Sequence, residues 1–214
     1  MNDSFVMDNI KAFTLAELLI YITLAGIVST GLFETFLTTI NLYNRNDQTV
    51  GTFQEIRSAL LLMASEIRMA GCDPTGTGNF GFINEQDLSG KDRFDTDEDS
   101  LNFTLDNNYP YDGLANDPNE KINYYLYPSN GNFKKLGRKT GYLGNPQPIA
   151  ENITFLKFTY FNKNNQNITQ NLDLKNINLI KIEIKAESQK IDPLLKRRRK
   201  FILTTYVRIR NVSN

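Results

Sequence analysis

Apolar residues are concentrated at the start of this chain. Residues 13–33, FTLAELLIYITLAGIVSTGLF, carry a single charge, Glu17. Counted from Phe13, the stretch supplies roughly the 20 apolar residues that cross a bilayer, and its charge-free part, 18–33, is shorter. Length alone leaves three readings open: a signal-peptide core, a weak anchor or a transmembrane helix. A secretory signal has a basic start and a small-residue cleavage site after its apolar run. Here Asp3 and Asp8 outweigh Lys11, and the run continues into Glu34, Thr35 and Phe36 without a turn signal.

The helical period outlasts the apolar run. Phe53, Ile56, Leu60, Met63, Ile67 and Ala70 recur at spacings of three and four, which puts them on one helix face, with Arg57, Glu66 and Arg68 off it. Gly71 and Pro74 supply the stop. A helix over 13–70 would be roughly 87 Å long. Its weak point is 44–51, NRNDQTVG, a polar stretch poor in helix formers that predicts a bend or local melting.

Beyond Pro74 the period changes. Gly, Asn and Asp punctuate short β-branched and aromatic runs, which predict strands over 100–105, 122–127, 153–161, 179–186 and 201–210. Residues 180–185, IKIEIK, alternate apolar and charged, the mark of an antiparallel strand with one wet face. One long helix followed by a run of strands is α+β. The predicted organisation is a short polar segment, 1–12; an apolar helical half, 13–40; an amphipathic helical half, 41–72; and a β-rich globular domain, 73–214, irregular over 73–150.

Composition narrows the function. The 214 residues include no His and no Trp. Without His the chain lacks the usual general base, the commonest metal ligand and every Ser-His or Cys-His pair, which argues against an enzyme. The single cysteine, Cys72, reads as a small buried hydrophobe, with a reactive or intermolecular thiol as the alternative. Net charge is zero but unevenly placed: residues 85–120 hold 11 acids against Lys91 and Arg93, and residues 134–214 hold 17 bases against 5 acids.

The most informative residues are KAFTLAELLI, 11–20. They resemble the type IV prepilin signature, in which a small residue precedes F-T-L-x-E and an apolar helix. Ala12 stands where that family usually has Gly. The resemblance implies cleavage between Ala12 and Phe13 by prepilin peptidase, N-methylation of the Phe13 amine, and a leader that stays cytoplasmic. It also implies that Glu17, fifth in the mature chain, meets a neighbouring subunit's N-terminal ammonium in the filament core. A lone carboxylate among apolar residues has a physical need for such a partner; the plainer reading is an acid at the membrane boundary near a helix N-terminus. Residues 66–72, 152–160 and 204–211 are similar to segments of PilW-type minor pilins and of the type II secretion pseudopilin J. The fold so implied is pilin-like: a long N-terminal helix, its first half membrane-spanning, packed on an antiparallel sheet.

The family role so implied is that of a minor subunit that helps to initiate or cap a filament and carries no catalytic site. Its partners are other minor and major pilins or pseudopilins, prepilin peptidase and the inner membrane. Its place is the bacterial inner membrane, with the globular domain in the periplasm, and then the filament tip.

Two charged constellations remain. Asp95, Asp97 and Asp99 alternate in DTDEDS, and Asp112, Asp117 and Glu120 follow. Such oxygens suit Ca²⁺, although Ser100 and Asp106 occupy the places where an EF-hand loop wants Gly and Glu. A solvated acidic loop with no cofactor is the plainer reading, and a calcium-dependent, membrane-anchored adhesin is the alternative function it leaves open. The run KRRRK, 196–200, reads as a solvated turn whose charge discourages edge pairing, with a lipid-headgroup or partner-pilin contact as the alternative. Nucleic acid is not an expected partner, because interleaved aromatics for base stacking are missing. Tyr109, Tyr111, Tyr124, Tyr125 and Tyr127 read as core and cross-strand packing, with a recognition surface as the alternative.

Overall fold

The computed structural model describes residues 13–85, 94–129, 133–141, 145–192 and 195–211. Residues 1–12, including Ala12, lie outside the described residues. The chain divides into two compact units, Met1–Asn46 and Asp47–Asn214. A single helix, α1 (Leu15–Ile67), supplies nearly all of the described part of the first and opens the second.

Within the first unit every described residue from 13 to 44 is exposed. This part of α1 has no core of its own to cover it, and by length and composition it can cross a membrane. Its threonine hydroxyls are satisfied within the helix. Thr23, Thr30, Thr35, Thr38 and Thr39 each donate to the carbonyl four residues back, at 2.7–2.9 Å. That removes their main penalty in lipid, where no water can accept the bond.

The polar stretch 44–51 is helical throughout, so the predicted local melting does not occur. Propensity is a weak prior here, because the end of the stretch is held by the globular unit: Thr52 is buried, and Arg199 Nη1 donates to Thr49 Oγ1 at 3.3 Å.

In the second unit Ile56, Leu60, Met63, Ile67 and Ala70 face the core, as their spacing predicts. Phe53 does not; it is 43% exposed, and Thr52, Ala59 and Ala64 complete the buried stripe instead. Phe53 sits one residue past the buried Thr52, on the outer margin of the face. Gly71 closes the helical segment in a left-handed conformation, φ +72. A side chain there would also press on Asn211 O at 3.0 Å.

Six strands follow: β1 (Ser100–Thr104), β2 (Lys121–Pro128), β3 (Lys134–Thr140), β4 (Gln147–Phe161), β5 (Leu179–Glu187) and β6 (Lys200–Arg208). They form one antiparallel sheet in sequence order. Its inner face packs Phe103, Ile122, Tyr124, Phe158, Tyr160, Ile180, Ile182, Ile184 and Val207 into one core with the helix stripe. β5 alternates as predicted, with Lys181 and Lys185 outside, each paired with Glu183.

The stretch 73–150 is more regular than expected and contributes β1, β2, β3 and the start of β4. β3, KKLGRKT, has no β-branched residue except its last and no aromatic, so propensity does not mark it. It is a strand because β2 and β4 pair with it on both sides. Gly137 is required there, since a Cβ would come within 2.8–2.9 Å of the Tyr127 ring. β1 is buried along its whole length because residues 81–85 and 94–96 lie over it: Gly81 O accepts from Thr104 N at 2.8 Å, and Thr96 Oγ1 donates to Asn102 O at 2.8 Å.

Candidate functional site

The head of α1 is built by two residues. Thr14 is the residue before the helix. Its backbone N–H and its hydroxyl donate to Glu17 Oε2 at 2.9 and 3.0 Å, and Glu17 N–H donates back to Thr14 Oγ1 at 3.3 Å. This reciprocal arrangement is a capping box, and Thr-Leu-Ala-Glu is its sequence form. Glu17 stands out in the sequence by its charge, whereas Thr14 is marked only by the S/T-x-x-E pattern. Phe13 precedes the cap, exposed, with its ring edge-on to Tyr21 at 6.1 Å between centroids. Glu17 therefore has a local role already: one carboxylate oxygen closes the helix terminus, and among the described residues Oε1 takes no hydrogen bond.

The acidic candidates are spread over separate turns. Asp97 Oδ1 accepts from the N–H groups of Asp99 and Ser100, each at 2.7 Å, and so caps the turn before β1. Asp112 Oδ1 accepts from Leu114 N at 2.9 Å. Buried Glu120 accepts from Asp117 N at 2.9 Å and returns its own N–H to Asp117 O. Asp95 is half-buried and Asp99 exposed. Among the described residues no three carboxylate, thiol or imidazole groups converge as a cation site.

Tyr124 and Tyr125 are buried and Tyr127 half-buried, as core packing requires, whereas Tyr109 and Tyr111 stand exposed on the β1–β2 connection with their rings edge-on. Cys72 is half-buried; burial, followed by the charges of Asp106 and Asp73, pushes its thiol up from its ordinary value. An acidic surrounding suppresses the thiolate, so Cys72 is a poor nucleophile.

The basic run divides into inward and outward members. Arg199 Nε donates to the buried Asp192 at 2.7 Å, and Arg198 donates to Ser188 O at 2.9 Å and to Gln189 O while covering the Phe133 ring. Lys196, Arg197 and Lys200 are exposed, with Lys200 Nζ 3.8 Å from Glu187 Oε1 across the β5–β6 pair.

Two polar clusters join helix to sheet, and composition gave no sign of either. Glu66 accepts from Arg138 of β3 and from the Tyr124 hydroxyl of β2, and Arg138 Nη2 also reaches Asn119 Oδ1 at 3.0 Å. One heptad and a half earlier, Glu55 Oε1 accepts from Glu151 N of β4 at 2.7 Å. Both acids are off the apolar stripe, the only pattern by which the sequence flags them.

Residues 7–33 match the prokaryotic N-terminal methylation motif. The chain thus has a type IV prepilin-like N-terminus. Among solved structures, a type IV-like pilin from Thermus thermophilus is similar at 11% identity, with a TM-score of 0.42 over 75% of this chain and 97% of that one. No curated protein sequence matches the chain.

Proposed function

We propose that this chain is a minor subunit of a type IV filament, of the PilW-like kind, stored in the inner membrane and drawn from there into a pilus that it helps to initiate or cap. Residues 1–12 are the cytoplasmic leader. Prepilin peptidase removes it between Ala12 and Phe13 and methylates the new amine. Residues 13–40 hold the subunit in the membrane and later pack in the filament core among other pilins, and the sheet domain lies in the periplasm. The role is mechanical rather than catalytic.

The observation that carries this reading is Phe13-Thr14-Leu15-Ala16-Glu17 at the head of a helix whose apolar residues up to Tyr43 are all exposed. A helical stretch that is apolar all round and is covered by none of the described residues needs lipid or neighbouring helices. The similarity of 66–72, 152–160 and 204–211 to PilW-type segments supports the minor-pilin branch. Pseudopilin J of type II secretion shares those segments, and the subunits that co-purify separate the two machines.

Mass spectrometry of the protein from its native host tests the reading. The expected N-terminus is N-methylated Phe13; a membrane-bound population that still begins at Met1 sinks it.

A further inference from the structure

The two edges of the sheet differ. At β1 the outer backbone groups are taken: Thr104 N donates to Gly81 O at 2.8 Å, Ile83 N donates to Asn102 O at 3.0 Å, and Phe82 bridges to Phe103. At β6 they are open. Antiparallel ladder bonds fall on alternate residues. Ser188 N donates to Arg199 O at 2.8 Å and Ile209 N to Asn178 O at 3.0 Å, one step beyond either end of the β5–β6 register. Residues 201, 203, 205 and 207 therefore bond β5, and the N–H and C=O groups of Ile202, Thr204 and Tyr206 turn away from it. Among the described residues nothing bonds these outward groups.

Sheets blunt such an edge with proline, bulges, charges along the strand or short length. β6 has none of these between its ends. It is nine residues long, pairs with β5 without a register shift, and reads FILTTYV over 201–207, with no charge, Gly or Pro. The basic run guards only its start. On the outer face Ile202 and Tyr206 are 63% and 58% exposed, with Thr204 exposed between them. Aromatic and β-branched residues are the ones that gain most from a strand laid opposite.

The charges at the ends choose the occupant. Lys200 already has Glu187 beside it, whereas Arg208 and Arg210 are exposed and make no ion pair among the described residues. A second copy, paired antiparallel over the whole strand, would set Thr204 on Thr204 and Ile202 on Tyr206. It would also set Arg208 on Lys200 at both ends, and like charges directly opposite are destabilising. A segment with acids at its start meets no such conflict.

We propose that β6 is an acceptor edge, to which another protein adds an extended antiparallel segment with β-branched or aromatic residues along 202–206 and carboxylates against Arg208 and Arg210. Main-chain hydrogen bonds supply affinity, and the two arginines select the segment and its direction. β6 lies within the second unit, so this surface does not depend on the filament reading.

The test uses the full chain in detergent and three fluorescent peptides of equal length, each alternating Thr and Val. One begins Glu-Thr-Glu, one begins Lys-Thr-Lys, and the third is the acidic peptide with alternate amides N-methylated. By anisotropy the acidic peptide should bind at least about tenfold more tightly than the basic one, and the N-methylated one should not bind. Amide exchange read by NMR should slow at 202, 204 and 206 and stay unchanged at 203 and 205. Thr204→Pro removes an outward N–H and leaves the β5 ladder whole, so it should fold and lose at least about tenfold in binding. The double variant Arg208→Glu, Arg210→Glu should reverse the preference between the acidic and basic peptides. Equal binding of those two peptides, or exchange at 202, 204 and 206 that the acidic peptide leaves unchanged, overturns the proposal. So does full binding by a folded Thr204→Pro; if that variant unfolds, the charge reversal and the exchange pattern decide. A peptide-free chain that dimerises, and is made monomeric by the charge-reversing double variant or by Thr204→Pro, has a second copy on this edge, which also overturns it.

Discussion

Glu66 on α1 and Arg138 on β3 form a two-pronged ion pair, with Arg138 Nε at 3.0 Å and Nη2 at 2.7 Å from the carboxylate, and side chains 18% and 15% exposed. The Tyr124 hydroxyl donates to the same carboxylate; burial and the Glu66 charge hold that phenol far above its ordinary value, so it remains a donor at any physiological pH. Three elements thus meet on one carboxylate at the end of the helix where β1 to β3 attach.

Arg138→Met should destabilise the second unit by about 2–3 kcal/mol, the range for a hydrogen bond to a charged group plus a carboxylate left half-buried. Glu66→Gln should cost less, about 1–2 kcal/mol, because the amide oxygen can still accept from Tyr124. Denaturant melts of the full chain in detergent measure both. Equal midpoints for wild type and Arg138→Met would show that the pair is solvent-screened and structurally idle.

Glu55 gives a prediction of opposite sign. Burial, opposed by the Glu151 N–H that it accepts and reinforced by the Glu151 carboxylate, holds Glu55 above the usual carboxylate range. The folded state therefore binds this proton more tightly than the unfolded chain does, so ionising Glu55 works against folding. That penalty is complete above the raised value, fades as pH falls through it, and is gone below the unfolded value. Glu55→Gln keeps an acceptor for Glu151 N and removes the charge. It should stabilise by on the order of 0.5 kcal/mol near pH 7 and by nothing near pH 4. A variant less stable than wild type at neutral pH would show that the ionised carboxylate is the better partner.

How far the sequence reveals this molecule depends on how local each signal is. The helix stripe through Ile56, Met63 and Ile67 and the alternation of Ile180, Ile182 and Ile184 are periodic patterns within one element, and the structure bears them out. β3 is not periodic: Leu136 is its only large apolar residue, and its strand character comes from the ladders on either side. Phe53 fits the spacing yet stays outside, because a stripe of period 3.6 drifts and the sequence does not say where the sheet's cover ends. The motif at 13–17 is legible from residues alone, and so is its cap, through Thr14. The Glu66–Arg138 pair, 72 positions apart, has no local signature.

The acidic turns make a calcium test informative. Asp97, Asp112 and Glu120 each already accept local backbone N–H groups, and among the described residues no three carboxylates meet. Millimolar Ca²⁺ is therefore expected to leave the melting temperature of the full chain unchanged within about one degree, where a site half-saturated well below that concentration would add stability visibly. A clear upward shift that Asp97→Asn removes would establish a calcium site at this turn.

The sharpest test separates the two roles of Glu17. As a cap, it accepts from Thr14 through Oε2. As an assembly contact, it would receive a neighbour's Phe13 ammonium in a filament core without water, where an unpaired charge would cost several kcal/mol. An apolar stripe alone can slide by a turn, so a charge pair also sets the register between subunits. Thr14→Ala removes the cap and keeps the charge; it should cost the helix terminus about 1 kcal/mol and leave incorporation near normal. Glu17→Gln keeps a hydrogen-bond acceptor and removes the charge. It should cut the share of subunit recovered in sheared filaments by at least about tenfold, as should Glu17→Val, because losing even 1.4 kcal/mol of pairing shifts an assembly equilibrium that far. Membrane insertion and cleavage to Phe13, read by fractionation and mass spectrometry, should be largely unchanged in all three. If Glu17→Gln assembles as well as wild type while Thr14→Ala fails, Glu17 acts only as a cap and the register is set elsewhere.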